Sequence, residues 1–190
     1  MHALIDSSAR REAAVSPGRA LLRLYRAVGA AADVAPLEEL PRRVAALLPE
    51  LLAIDGLLTA AQTAPPAEGY RRAPIFLCPR DRFSVIAMIW PAGVATPVHD
   101  HRDWCAFGLY RGEIEETRYD PADSSPDCAT AAVRQVLRHK PGAVAHLPVA
   151  APNIHRISNP TGEAAISIHV YGGNCDISGP NLDRIYSVEA

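Results

Sequence analysis

The chain has 190 residues, 48% of them hydrophobic and 21% charged, with a formal net charge of −2. That is enough for one sizeable core, and the charge balance excludes a strongly basic nucleic-acid-binding or membrane-attracted surface. No apolar run approaches ~20 residues and the start, Met1-His-Ala-Leu-Ile-Asp6, has no apolar signal core, so neither a membrane span nor secretion is expected.

Residues 1–17 are polar and rich in Ala and Arg, and are expected to fray. Leu21, Leu22, Leu24, Tyr25 and Val28 recur at helical intervals across Arg19–Asp33, after a Ser16-Pro17 start signal. A second helix is expected over Leu37–Ala53, with Pro41 in its first turn and Pro49 kinking or splitting it. A third short helix is expected over Leu57–Thr63. The cluster Ala64-Pro-Pro-Ala-Glu-Gly69 breaks this pattern.

Beyond it the chain reads as short strands punctuated by Pro, Gly, Asn and Asp: Ala73–Leu77, Phe83–Trp90, Ala106–Tyr110, Glu113–Tyr119, Ala131–Leu137, Ala143–Leu147, His155–Ile157 and Ala164–Tyr171. Many short strands at regular spacing predict a sandwich or small barrel. The expectation is a mainly β protein: one domain, with an N-terminal helical segment (1–66) packed on a β-barrel (67–190). The four cysteines, Cys78, Cys105, Cys128 and Cys175, are scattered without a Cys-x-x-Cys pair, which fits free thiols in a reducing cytoplasm.

The chemistry concentrates in three places. Gly93-x5-His99-x-His101 puts two imidazoles on one face of a strand, where both reach one metal ion. Cys105 and Phe107 continue that alternation inward. A second stretch, Pro148 to Asn159, carries His155. Imidazole donors suit Fe(II), Zn, Cu and Ni. A carboxylate ligand is hard to find: Asp100 has the wrong parity, Asp103 falls in the turn Arg102-Asp-Trp104, and Glu113 and Glu115 lie too far along the next strand. Three neutral imidazoles leave a dication uncompensated and invite an anionic ligand such as a thiolate. Third, Ser167-Ile-His169-Val-Tyr171 sets Ser, His and Tyr on one face and Ile166, Ile168 and Val170 on the other. Such a polar row needs partners, as the lining of a polar cavity or as a hydrogen-bonded row at the barrel rim. His2, His139 and His146 have no partner pattern.

The first two motifs resemble those of the cupin superfamily, in which a glutamate usually follows His-x-His by about four residues; here Cys105 stands in that place. With Gly112, His155-Arg-Ile-Ser-Asn159, Ser167-x-His169-x-Tyr171 and Tyr70-Arg-Arg72 added, the stretch from Gly69 to Tyr171 resembles cysteine dioxygenase, the cupin-type thiol dioxygenase family. The resemblance implies a cupin double-stranded β-helix and one non-haem Fe(II) per chain on His99, His101 and His155. It further implies a small thiol substrate, cysteine, taken with O2 to cysteine sulfinic acid. Arg72, beside Tyr70, then clamps the substrate carboxylate, or Arg71 does if the register is off by one. Tyr171 is the active-site phenol, oriented through His169 and Ser167. In animal members the cysteine at the place of Cys105 forms a thioether with that tyrosine; here Cys105 either does so or packs as a thiol.

The three-residue spacing between His101 and Cys105, and Gly172-Gly173 in place of a proline-bearing turn, resemble bacterial thiol dioxygenases, some of which prefer 3-mercaptopropionate. Those carry glutamine where Arg72 stands, so Arg72 points to cysteine. The other readings are a non-catalytic ligand-binding cupin and another cupin enzyme, such as a metal-dependent isomerase, which would prefer an extra carboxylate ligand. The expected partners are the thiol and O2 alone, with a monomer or weak homo-oligomer in the cytoplasm. Trp104 either walls the pocket or packs, and Arg102 belongs to the turn or meets an anion.

Overall fold

A computed structural model describes residues 15–125, 129–149, 153–173 and 183–189. Cys128, Cys175 and His2 lie outside the described residues, as does most of the segment expected to fray. Helix α1 runs Pro17–Val34, with the proline in its first turn. The second expected helix is two: α2 (Leu40–Ala45) and α3 (Leu48–Leu52), each with its proline in the first turn. A proline there loses no hydrogen bond, so Pro49 begins a helix and does not kink one. Helix α4 is shorter than expected, Ala60–Thr63, because Thr59 stops it from starting earlier. Its hydroxyl accepts from the Gln62 amide while the Gln62 side chain accepts from the Thr59 amide. Among the described residues no helix is long and apolar enough to cross a membrane.

The strands are β1 (Arg71–Leu77), β2 (Phe83–Trp90), β3 (Val98–His99), β4 (Cys105–Arg111), β5 (Ile114–Pro121), β6 (Thr130–His139), β7 (Val144–Leu147), β8 (His155–Ser158), β9 (Ala165–Gly172) and β10 (Ile185–Val188). The eight strands expected are all present, within a few residues of their expected ends. Strand β10 was not expected. One sheet has the order β1-β2-β9-β4-β7; the other runs β10-β3-β8-β5-β6 and closes through a parallel pairing of β10 with β6. This is a cupin fold with helices at its N-terminal side.

Strands β2 and β9 are buried along their whole length; β2 is nearly unbroken apolar sequence, whereas β9 alternates apolar residues toward the helices with the Ser167, His169 and Tyr171 row toward the other sheet. One face of the first sheet, with Val85, Ala87, Ile89, Ala106, Ile166, Ile168 and Val170, packs with Leu24, Val28, Val44, Leu48 and Leu51 of the helices. The other face, with Ile86, Met88, Trp90, Cys105, Phe107 and Tyr171, meets Ile114 and Ile157 of the second sheet. The functional side chains stand at one end of this inter-sheet core.

Candidate metal centre

Strand pairing assembles the histidines. His99 on β3 lies directly opposite His155 on β8, and His101 follows two residues on. One ring nitrogen from each lies within 4.8 Å of those of the other two, and all three side chains are buried. The tautomers follow from what the outer nitrogens meet. His99 Nδ1 stands 2.9 Å from the Pro97 carbonyl and His155 Nδ1 3.2 Å from Glu116 Oε1. Both partners only accept, so each Nδ1 carries the proton and each Nε2 presents a lone pair inward. His155 Nε2 and His101 Nε2 are 3.0 Å apart. Burial, reinforced by the His155 and His101 rings, holds His99 well below its ordinary pKa, in the neutral form that a metal requires. Convergent lone pairs in a buried nitrogen cage are the donor set of a divalent transition metal, so the residues present fit such an ion. Among the described residues no carboxylate joins the three imidazoles.

The Ser-His-Tyr row of β9 faces the same cavity and has a definite polarity. The Trp90 indole N–H can only donate, and it meets Ser167 Oγ at 2.8 Å. The Ser167 hydroxyl then donates to His169 Nε2, 2.8 Å away. Complete burial holds His169 neutral, well below its usual range, so its one proton sits on Nδ1. From there it donates to the Tyr171 oxygen at 3.0 Å. The chain of donors therefore ends on Tyr171, whose own hydroxyl hydrogen is left to point elsewhere, and Tyr171 lines the cavity. Cys105 is the register partner of Tyr171 on β4, and its sulfur lies 3.8 Å from His169 Nδ1.

The cavity, about 30 Å³, is lined by His99, His101, His155, His169 and Tyr171, and by Tyr70, Arg72, Met88, Trp90, Thr96 and Ile157. Alternation on β1 settles the register: Arg72 faces the cavity, while the Arg71 guanidinium donates to the Ala61 carbonyl at 2.6 Å on the helical side. Trp104 packs in the helix-side core, where a Cβ on Gly172 would touch its indole, and it does not wall the cavity. Arg102 is in a bend, 3.6 Å from Asp183. Asp100, of the wrong parity as expected, accepts from the Arg184 amide and the Tyr186 hydroxyl, each within 2.8 Å.

Three residues around the site escaped the sequence reading. Glu116 is fully buried and binds both His155 and His139. Burial alone would raise its carboxyl, but the bonds from His139 and His155 and the charge of Arg118 outweigh it and hold the group well below the usual carboxylate range. The available signal was parity: Glu116 is two residues from the fully apolar Ile114, on the inward face, whereas Glu113 and Glu115 are on the other. His139, without a partner pattern in the sequence, is the second through its bond to Glu116, and Asn153 is the third. Its amide accepts from His101 N and donates to the His101 and Pro148 carbonyls, tying the two motifs together.

Residues 69–177 match the family model for cysteine dioxygenase type I. Among solved structures the chain is similar to a Thermus thermophilus protein (18% identity over 60% of this chain and 91% of that one, TM-score 0.47). It is also similar to a double-stranded β-helix protein from Klebsiella pneumoniae (16%, 65% and 95%, 0.46) and to the Schizosaccharomyces pombe Cnp3 cupin domain (19%, 62% and 74%, 0.45).

Proposed function

This chain belongs to the cysteine dioxygenase type I family, and on that premise we propose that it uses one Fe(II) ion to convert cysteine and O2 to cysteine sulfinate, releasing one proton. The observation that carries the reading is an all-imidazole metal cage sharing one small cavity with a single guanidinium, Arg72. His99, His101 and His155 would hold the ion. Bound there, iron supplies the redox chemistry that lets a closed-shell thiolate react with dioxygen.

The protein's own groups do the rest. Arg72 offers a planar fork to the substrate carboxylate, with Tyr70 beside it at the cavity wall. Tyr171 offers a hydroxyl proton to the sulfur and oxygen atoms, held by His169, Ser167 and Trp90. Met88, Trp90 and Ile157 keep water out. Cys105, opposed to Tyr171 in register, is assigned as its thioether partner, formed with loss of two hydrogens to dioxygen; an intact mass lighter by two hydrogens checks it. The enzyme is placed in the cytoplasm as a monomer or weak homo-oligomer, acting on a small thiol with no nucleic-acid or membrane partner.

The test is to load the protein anaerobically with Fe(II), add cysteine, admit oxygen, and measure oxygen uptake and sulfinate together. Stoichiometric sulfinate supports the assignment. Uptake with 3-mercaptopropionate alone overturns the substrate but keeps the reaction class; no uptake with either overturns both. Arg72→Gln is expected to raise the KM for cysteine by about 10- to 100-fold, the worth of a charge-assisted hydrogen bond. Indifference to that change would remove Arg72 from the substrate site.

A further inference from the structure

Three neutral imidazoles leave a divalent ion with its full charge, yet one buried carboxylate lies a single hydrogen bond behind the cage. We propose that Glu116 is the anionic partner of the metal centre, acting through His155 as a positioning residue and held in place by Arg118 and His139; this rests on the metal-dependent reading above.

The geometry is specific. Glu116 sits on β5 opposite Ile157, with its side chain fully buried. Oε1 accepts from His155 Nδ1 at 3.2 Å, while Oε2 accepts from His139 Nε2 at 3.0 Å and Arg118 Nη2 at 3.1 Å. Burying a carboxylate costs several kcal/mol, and an apolar replacement would serve packing as well. What an apolar residue cannot do is fix the His155 proton on Nδ1, aim the Nε2 lone pair at the cage, and make the ring a stronger donor. His139 in turn stands edge-on to Phe107, which stacks on His169, so the carboxylate is braced by the same ring row that carries Tyr171. Arg118, about one-fifth exposed, is the counter-charge that lets Glu116 be buried before a metal arrives.

The charge claim separates from a packing role by the sign of two effects. Glu116→Gln keeps the size and, through its oxygen, the bond from His155, but its amide nitrogen only donates, so the bond from Arg118 is lost, that with His139 survives only in the other tautomer, and the charge is removed. With Co(II) as probe, titrated against a chromophoric chelator, it is expected to weaken binding by about 10- to 100-fold. The Fe(III)/Fe(II) midpoint potential is expected to move positive, since the more highly charged ion loses its anion. Arg118→Gln, at the rim, should move the potential negative, and this decides the matter if the Glu116 variant does not fold. Co(II) affinity within about twofold of wild type in Glu116→Gln, or an Arg118→Gln potential that is unchanged or positive, overturns the proposal. Neither readout needs turnover, so failure of the dioxygenase reading would leave these results interpretable.

Discussion

Trp90 fixes the direction of the whole β9 row, because an indole nitrogen has no lone pair to offer in the ring plane. Tyr171→Phe removes the hydroxyl of a residue that lines the cavity and leaves the ring packing intact. It is expected to lower kcat by about 10²-fold with little change in the KM for cysteine, as read by steady-state oxygen uptake. An effect on KM in place of kcat would make Tyr171 a binding group. Sequence parity alone placed Ser167, His169 and Tyr171 on one face. The order of their protons depends on Trp90, 77 residues away along the chain, and no local pattern carries that information.

At the scale of elements, two joints hold the site. The first is the turn after β4. Gly112 has φ +77°, and a Cβ there would stand 2.7 Å from the Ala165 Cα on β9. Both the backbone conformation and the close approach require glycine. Gly112→Ala is expected to destabilise the fold by about 2 kcal/mol or more, read as a lowered midpoint in urea with unchanged slope. The second is β10, which pairs with β3 at His99 and is clasped by the Asp100 carboxylate. Asp100→Ala is expected to speed amide exchange at 185–188 and to weaken Co(II) binding, whereas unchanged exchange would show that the pairings with β3 and β6 suffice. Strand β10 was missed because four residues with no strong alternation acquire their strand state only from neighbours remote in sequence. The eight longer runs carry their own apolar signal.

For the whole molecule, the helices cover the first sheet's outer face. Leu48 and Val28 are fully buried there, so Leu48→Ala is expected to cost about 2–5 kcal/mol. Tyr25 of α1 stacks on Phe76 of β1 at 4.0 Å, and burial pushes its phenol up to about 12. An unfolded tyrosine ionises near 10. Tyr25 therefore contributes its full stabilisation below pH 10 and loses it progressively as pH rises through 12. Phenolate absorbance should show Tyr25 and Tyr186 ionising late, both pushed up to about 12, and Tyr25→Phe should remove one of these two late ionisations and lessen the stability loss over this window.

The β-rich barrel, the helical N-terminal side and the parity of the Ser-His-Tyr row are legible in the chain, because each rests on a period of two or 3.6 within one segment; the strand expected to carry both His99 and His101 ends at His99, and His101 joins the cage from beyond it. The sequence also left one of Arg71 and Arg72 facing the cavity without saying which. Packing between segments settles that Arg72 does, that Trp104 lies away from the site, and that Cys105 opposes Tyr171. The buried carboxylate behind the cage, Glu116, is on β5 and meets His155 on β8. Register between strands, which no single segment encodes, brings Glu116 to His155.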